Sequence, residues 1–431
     1  MNDRDARKTL VKSLQDIIVR GHLGALHQSQ TTRLPCWDHG PMPSTNSLRG
    51  RDIVCVGFAD WDTDLWTNQH HLMSRLAREN RVLFIESLGL RRPQLAGRDL
   101  SRMARRLRRG LAPARAVDGL HVLSPLVVPL HGYAPVRALN RRLLPALVAR
   151  SLRALDMHDP ILWAYVPQAE VLLDALAPSL VVYHCVDDIA AQEGIDAASF
   201  RAAEQRFAGR ADLVLASAPT LAERMRKIAS NVLYAPNVAD TTMFSRALEA
   251  GPVDPAIAAL PRPCVVFTGA IVSTKLDFVL LAELARTRPD MSFVLVGPVG
   301  PGDPRTDVSV LRAEPNLHLL GGRSYSELPN VLRGADAGLI PYARNPLTDS
   351  IFPMKIYEYL AAGLPAIATE LPSLAGVEDV RTAADAQQMA AALDEAIATD
   401  DPEQRRARSA RASSHSWDQR LQEISTAIAE L

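Results

Sequence analysis

Residues 352–365, FPMKIYEYLAAGLP, lead directly into the apolar residues 366–369, AIAT. Pro353 suits the first helical turn, where a missing N–H costs no hydrogen bond, and Gly363 suits the left-handed residue that ends a helix. Lys355, Glu358 and Tyr359 share one helix face, because residues three and four apart are neighbours on a helix. The stretch therefore predicts a short helix between two loops, followed by a buried strand.

Short apolar runs alternate with longer helical patterns along most of the chain, from residue 52 to 216 and again from 265 to 368. Continuous apolar strands between helices predict parallel sheets covered on both faces. The length of 431 residues exceeds the size at which a single core keeps growing. We therefore expect an α/β protein with two doubly wound domains facing across a cleft, where ligands of such sheets bind. The predicted segments are an appendage at 1–48, a first domain at 49–248, a linker at 249–262, a second domain at 263–414 and a final helix at 415–431.

Charge and hydropathy restrict the partners and the location. The chain has 48 basic and 48 acidic residues, and this zero net charge argues against a nucleic-acid binder. Residues 98–109 form an Arg-rich amphipathic pattern that suits either an anionic membrane surface or a solvated face. The charged start and the lack of a long apolar helix predict a cytoplasmic protein. Peripheral contact with the inner face of the plasma membrane stays open.

Cysteine usage bears on disulfides and metals. Three of the four cysteines, Cys55, Cys185 and Cys264, lie in apolar strand-like runs, where a thiol behaves as a small hydrophobe. We expect no disulfide, no zinc and no catalytic metal.

The opening stretch resembles the donor-site helix of the retaining family-4 glycosyltransferases of the GT-B fold, whose form is E-x7-E-A-x-A-x-G-x-P. Glu358 falls on the second Glu, and the resemblance implies that it binds the donor ribose. Ser350 stands where the family carries its first Glu, on the donor sugar. A variant, P-x-K-x-x-E-Y-x-A-x-G, resembles bacterial polysaccharide glycosyltransferases of the teichuronic-acid type. The chain matches this variant through Pro353, Lys355, Glu358, Tyr359, Ala361 and Gly363.

Two further segments complete the predicted donor site. Gly269 follows the first strand of the second domain and would let backbone approach a phosphate, while Lys275 supplies charge or is a solvated loop lysine. The tract at 316–329 resembles the family's base-reading segment, which implies that Gly322 and Arg323 face the base. Ser324 and Glu327 in this tract also predict a capping box. The predicted donor-binding residues are Gly269, Lys275, Gly322, Arg323, Ser350, Lys355 and Glu358, with a UDP- or GDP-linked sugar as donor and no other cofactor.

The first domain carries the predicted catalytic and acceptor-side residues. His184 and Asp187 end an apolar strand at the expected cleft. His184 would position the acceptor hydroxyl or bridge to the sugar, with Asp187 as its partner. An Asp that caps the next helix is an equal alternative. In this fold the loop after the first strand faces acceptor and phosphate, and the predicted acceptor-side residues are Gly57, Phe58, Trp61 and Gln69.

These patterns predict a glycosyltransferase that moves a sugar from a nucleotide-diphosphate donor to a glycan or lipid-linked acceptor, with retention, in bacterial polysaccharide or glycoconjugate synthesis. Two alternatives stay open: a sugar-nucleotide epimerase on the same fold, and a non-catalytic subunit that binds nucleotide or a partner. A dinucleotide dehydrogenase is disfavoured because residues 56–59 lack the G-x-G-x-x-G turn. Phosphoryl transfer is disfavoured because no G-x-x-x-x-G-K-[ST] sequence occurs.

Overall fold

The computed structural model describes residues 48–63, 66–88, 112–125, 134–192, 194–301, 303 and 305–431. The appendage predicted for 1–48, apart from Leu48, and the Arg-rich segment 98–109 lie outside the described residues. No helix within the described parts of the chain is both long and apolar enough to cross a lipid bilayer.

The first half of the described chain forms an eight-stranded sheet in the order β3-β4-β2-β1-β5-β6-β7-β8. All neighbouring strands are parallel except β3 and β4, which are antiparallel. The strands are β1 (Asp52–Val56), β2 (Arg81–Ile85), β3 (Arg115–Val117), β4 (Leu120–Leu123), β5 (Ile161–Ala164), β6 (Leu180–Cys185), β7 (Leu213–Ala216) and β8 (Val232–Tyr234). The helices are α1 (Asn68–Leu76), α2 (Ala134–Ala154), α3 (Glu170–Leu176), α4 (Ala197–Ala208), α5 (Pro219–Arg226) and α6 (Thr241–Ser245).

The second half forms a six-stranded parallel sheet in the order β11-β10-β9-β12-β13-β14. Its strands are β9 (Cys264–Thr268), β10 (Ser292–Val296), β11 (Leu317–Gly321), β12 (Ala337–Ile340), β13 (Ala366–Thr369) and β14 (Val380–Ala383). The helices from the preceding connection onward are α7 (Pro255–Ala258), α8 (Phe278–Thr287), α9 (Ser309–Arg312), α10 (Leu328–Arg333), α11 (Lys355–Ala361), α12 (Ala386–Ala398), α13 (Pro402–Ala412) and α14 (Trp417–Ala429).

Both sheets are covered on both faces, which explains why most residues of their central strands are apolar. In β1, Ile53 and Cys55 belong to one apolar core and Val54 and Val56 to another, because successive side chains point to opposite faces. The first of these cores continues through the second sheet. The prediction of two doubly wound parallel sheets is confirmed.

Helix α11 and its ends match the opening prediction. The helix begins at Lys355, shortly after Pro353, and Gly363 adopts a φ of +80° just beyond its end. The chain then enters the buried strand β13.

The last helix and the connection after β8 join the two halves. On α14, Trp417 stacks on His71 of α1, with ring centroids 5.2 Å apart, and Asp418 pairs with Arg75 at 3.1 Å. Asn237 accepts a hydrogen bond from the Asn68 amide at 3.0 Å and donates one to the carbonyl of Phe352 at 2.9 Å. A polar chain therefore runs from the first sheet's helix to the loop that precedes α11.

Candidate functional site

The second sheet has a topological switch point between β9 and β12. Strand β9 pairs with β10 along its whole length, but its pairing with β12 ends at Val266 and Gly338. The chain proceeds from β9 to β10 on one side and reaches β12 on the other, so a crevice opens at the carboxyl ends of β9 and β12. Ligands of doubly wound sheets bind in such crevices.

Gly269 lies at this crevice with a φ of +132°, a backbone conformation that favours glycine, and the end of the Lys355 side chain packs against it. A Cβ on Gly269 would lie 2.4 Å from the Lys355 Cε and 2.8 Å from its Nζ, so the lysine side chain crosses the glycine directly. The ammonium lies 5.8 Å from the centre of the Phe267 ring. Gly269 and Lys355, both predicted as donor residues, thus lie in contact at one crevice, and the sequence did not indicate this contact.

Glu358 lies on the same helix face and is buried, with 5% of its surface exposed. No described residue forms a hydrogen bond or an ion pair with its carboxylate. Burial raises the pKa of Glu358, and the positive charge of Lys355 partly offsets that rise. An unpaired buried carboxylate is costly, and its oxygens are available to accept hydrogen bonds from a ligand.

Lys275 approaches the crevice from the loop after β9. Its backbone is held by Val272, whose carbonyl accepts from the Lys275 N–H at 3.1 Å, and by Ala343, which donates to the Lys275 carbonyl at 2.8 Å. The ammonium makes no hydrogen bond or ion pair with any described residue, which is also true of Lys355. Two cations therefore converge on the second sheet's crevice without a bonded partner in the described chain.

Asp187 of the first sheet faces Lys275. Burial raises the pKa of Asp187, the charge of Lys275 lowers it, and neighbouring Asp188 raises it further. Tyr342 follows β12 and is close to the same charged groups. Burial raises the pKa of Tyr342, the charge of Lys275 lowers it, and the charges of Asp187 and Glu358 raise it. The predicted residues Asp187, Lys275 and Glu358 thus lie near one another around Tyr342.

Ser350 occupies the predicted donor-sugar position at the edge of this cluster. It is buried, and the Thr220 hydroxyl of the first sheet's helix α5 donates to its Oγ at 3.4 Å. The adjacent Asp349 is paired with Arg344 at 2.8 Å. The loop therefore presents a hydroxyl where the resembling family presents a carboxylate.

The predicted base segment lies at the carboxyl end of β11. Gly322 is exposed, whereas the Arg323 side chain binds Asp254, with Nε 2.6 Å from Oδ2. The Arg323 guanidinium also donates to the Leu320 carbonyl at 3.0 Å. The Arg323 side chain is thus held by Asp254 at the start of α7, and the exposed part of this segment is the backbone at Gly322. The predicted capping box of Ser324 and Glu327 is confirmed.

The first sheet has its own switch point between β1 and β5. Gly57 follows β1, and a Cβ there would lie 2.7 Å from the Gln69 Oε1. That oxygen accepts a hydrogen bond from the Phe58 N–H at 3.0 Å, while the buried Gln69 Nε2 has no hydrogen-bond partner. Phe58 packs edge-on against Tyr165, whose hydroxyl is also buried without a partner. Unsatisfied buried polar atoms are uncommon and indicate a ligand or bound water.

His184 lies beneath this crevice. Its ring stacks on Tyr165 with centroids 4.9 Å apart, and its Nδ1 has no hydrogen-bond partner. Burial and the charge of Arg420 lower the pKa of His184 to about 3, so the ring is neutral at physiological pH. A base of such low pKa accepts protons poorly, which favours a hydrogen-bonding role over proton transfer.

Trp61 is placed differently from the other predicted acceptor-side residues. Its ring is buried against Phe84 and His70, and its backbone N–H donates to Glu86 at 2.9 Å. It belongs to the core that supports the loop after β1.

Tyr165 and Tyr342 were missed by sequence reasoning. Each tyrosine stands immediately or almost immediately after an apolar strand, at residues 161–164 and 337–340. A tyrosine at the carboxyl end of a predicted parallel strand is a signal from which both residues could have been predicted to lie at the site.

Contacts between the two sets of loops show that the crevices open toward one cleft. Trp66 after β1 stacks on Tyr325 after β11 with centroids 6.2 Å apart, and Thr220 reaches Ser350. Two doubly wound sheets whose carboxyl ends meet at a shared cleft define the GT-B class of fold.

Comparisons with known proteins agree with this class. Residues 262–399 match the family model described as glycosyl transferases group 1, a stretch that contains all the predicted donor-side residues. Anabaena Alr3699/HepE in complex with UDP has a TM-score of 0.61 at 15% identity, covering 88% of this chain and 100% of that one. Sucrose-phosphate synthase from Thermosynechococcus elongatus has a TM-score of 0.61 at 16% identity, and the match covers 87% of this chain and 98% of that one. At these identities the likeness establishes the GT-B fold.

One sequence relative is also described as a glycosyltransferase. TuaH of Bacillus subtilis (strain 168), assigned to teichuronic acid biosynthesis as a glycosyltransferase, is 37% identical over 107 residues. The match covers 25% of this chain and 26% of TuaH, so the chain spans about a quarter of that relative's length.

Proposed function

We propose that the protein is a glycosyltransferase that moves a sugar from a nucleoside-diphosphate sugar to a glycan or lipid-linked acceptor. The observation that carries the proposal is the crevice between β9 and β12, where a buried, unpaired carboxylate lies beside two lysines without bonded partners. A nucleoside diphosphate offers complementary groups, since its ribose donates hydrogen bonds and its phosphates accept them. The match of residues 262–399 to glycosyl transferases group 1 supports the same reaction.

The proposed donor roles combine what the family resemblance implies with the chemistry of each side chain. Glu358 accepts hydrogen bonds from the ribose hydroxyls, and Lys275 and Lys355 neutralise the diphosphate. Gly322 and the neighbouring backbone contact the base, and Ser350 contacts the sugar. A UDP- or GDP-linked donor is proposed, and the UDP-glucose complex of Anabaena Alr3699/HepE supports the uridine form.

Transfer with retention is proposed. The bond between the anomeric carbon and the diphosphate oxygen breaks, and its electron pair departs onto the diphosphate, whose charge Lys275 and Lys355 stabilise. The acceptor oxygen bonds to the anomeric carbon from the same face and gives its proton to the departing phosphate oxygen. His184 and Asp187 orient the acceptor hydroxyl, since the low pKa of His184 makes it a weak base.

The acceptor and the setting are proposed from the relative and the first crevice. The neutral groups of Gln69, Tyr165 and His184 suit hydroxyl-rich glycans. The 37% sequence identity to TuaH over 107 residues supports a role in bacterial polysaccharide synthesis. A cytoplasmic enzyme that docks on the inner membrane surface through residues 98–109 fits a lipid-linked acceptor.

One observation favours a second candidate. Ser350 replaces the family's acid, and the neighbouring Asp349 is already paired with Arg344. A protein without that carboxylate suits a non-catalytic nucleotide-binding subunit.

Release of nucleoside diphosphate tests the proposal. The protein is incubated with UDP- and GDP-sugars, with and without glycan and lipid-linked acceptors, and product configuration is read by NMR. Acceptor-dependent release with a retained anomeric configuration supports the proposal. Interconversion of the donor without acceptor indicates an epimerase, and binding without turnover indicates the non-catalytic subunit.

A further inference from the structure

The open crevice leaves the end of β9 without a strand on one side. Pairing between β9 and β12 stops at Val266 and Gly338, two residues before Thr268. The Thr268 N–H instead donates to the phenol oxygen of Tyr359 at 3.0 Å, and the Thr268 hydroxyl lies 3.4 Å from the same oxygen. Both residues are buried. Tyr359 of α11 thus takes the place of a missing strand at the floor of the crevice.

Gly338 gives this tyrosine its space. A Cβ on Gly338 would lie 2.2 Å from the Tyr359 Cδ2 and 2.4 Å from its Cγ, so the side chain of Tyr359 packs directly against the glycine of β12. Tyr359 stands where the pattern E-A of the resembling family has alanine. The pair of Tyr359 and Gly338 therefore explains how this chain accommodates a ring at that position.

A second residue of α11 holds the next position of the same loop. Lys355, one helical turn before Tyr359, crosses Gly269, which follows Thr268. Residues one turn apart lie on one helix face, so α11 fixes two consecutive residues at the end of β9. Glu358 lies between them in sequence and shares this side of the crevice.

The Tyr359 hydroxyl stays protonated at physiological pH. Burial raises its pKa, and the charge of Glu358 raises it further. The hydroxyl can therefore accept from the Thr268 N–H and donate its own proton to the Thr268 side chain at the same time.

We propose that Tyr359 is a positioning residue for phosphate recognition: it fixes Thr268 and Gly269 so that Lys355 and the loop to Lys275 meet the donor diphosphate. This inference rests on the proposed function, because it assigns Tyr359 to the same donor site. Tyr359 acts through the loop and needs no contact with the ligand.

The test compares affinities for UDP and GDP with those for uridine and guanosine, which lack phosphate, in the wild type and Tyr359→Phe. The expected result is about 3- to 10-fold weaker binding of the diphosphate, the effect of one hydrogen bond, with nucleoside affinity unchanged. Tyr357→Phe is the matched control, because Tyr357 lies on the same helix and stacks on His415, away from β9. It should leave both affinities unchanged.

The ratio of the two affinities separates positioning from general damage, since both ligands are measured on the same folded variant. Equal losses for diphosphate and nucleoside, or no loss, would overturn the inference while the proposed function stands. If the wild type binds none of the nucleotides, the proposed function itself fails and the inference falls with it. Thr268→Val, which keeps the N–H bond, should weaken diphosphate binding less than Tyr359→Phe, and the reverse order would contradict the assignment.

Discussion

The groups without a bonded partner named at the second sheet's crevice are charged, whereas those named at the first sheet's crevice are neutral. Between β9 and β12, Glu358 is buried without a bonded partner and Lys275 and Lys355 have none among the described residues. Between β1 and β5, the unpartnered groups are the Gln69 amide and the Tyr165 hydroxyl, with His184 held neutral by a pKa near 3. Both crevices lie at the switch point of a doubly wound sheet.

This contrast supports the proposed assignment of the two crevices to donor and acceptor. Charged groups bind an anion tightly and stabilise charge that develops on a leaving group. Neutral donors and acceptors recognise hydroxyls without a large desolvation cost. The second crevice therefore suits the nucleotide, and the first suits a hydroxyl-bearing acceptor.

The largest expected effect is the loss of nucleotide binding in Glu358→Gln. Losing charged hydrogen bonds to the ribose should weaken UDP and uridine alike, by about 2–3 kcal/mol or roughly 30- to 150-fold. Isothermal titration measures this loss. Glu86→Gln is the control, because Glu86 is equally buried but accepts hydrogen bonds from Trp61 and Ser124. Glu86→Gln should lower stability and leave nucleotide affinity unchanged. Weaker nucleotide binding in Glu86→Gln than in Glu358→Gln would contradict the assignment of the nucleotide to the second crevice.

The next largest effect should distinguish the role of the two lysines from that of the Glu358 carboxylate. Lys275→Met and Lys355→Met each remove one positive charge that faces the diphosphate, which should weaken UDP binding by about 1.5–2 kcal/mol, roughly 10- to 30-fold. Uridine affinity should not change, unlike in Glu358→Gln. Competition titrations with the two ligands check this, and a matching loss for uridine would mean that the lysines do not face phosphate.

The pH dependence of stability should show the buried charge of the second crevice. The pKa of Glu358 is raised above its ordinary value of 4.5, so the folded state holds its proton more tightly than the unfolded state does. Stability therefore falls as pH rises from about 4.5 through the raised pKa. Glu358→Gln should be more stable than the wild type above this window and equal to it below. Urea unfolding at several pH values measures the difference, and a constant difference across the window would contradict a buried, unpaired Glu358.

The smallest effect is expected in the first crevice. Tyr165→Phe removes a buried hydroxyl that has no partner, so the free energy of unfolding should stay unchanged or rise by up to about 1 kcal/mol. Nucleotide affinity should be unaffected, while the KM for the acceptor should rise. Thermal unfolding and UDP titration check the first two results. A clear loss of UDP affinity would mean that Tyr165 belongs to the nucleotide site and that the two crevices are not separate sites.

Much of the fold was predictable because parallel strands buried on both faces are uniformly apolar. The short edge strands were harder to find. The hairpin β3–β4 was not predicted, although Asp118 and Gly119 form its turn with positive φ angles of 49° and 84°. An Asp-Gly pair between short apolar segments is a strong hairpin signal. Strand β14 has a half-exposed, partly polar sequence that gives no such signal.

The site was predictable in its residue types and not in its contacts. Resemblance selected Gly269, Lys355 and Glu358, but the crossing of Lys355 over Gly269 depends on how α11 packs on β9. The sequence also could not show that Arg323 is bound by Asp254 or that the ring of Trp61 is buried in the core. These outcomes depend on neighbours far away in the chain.

Thermal stabilisation by UDP, GDP, ADP and dTDP, in the wild type and in Glu358→Gln, tests the central claim most directly. A ligand at about 100 times its dissociation constant adds roughly 2.7 kcal/mol, which raises the melting temperature by several degrees. The account predicts such a shift with UDP or GDP in the wild type and its loss in Glu358→Gln. No shift with any of the four, or an equal shift in the variant, would contradict the assignment of the second crevice to the nucleotide.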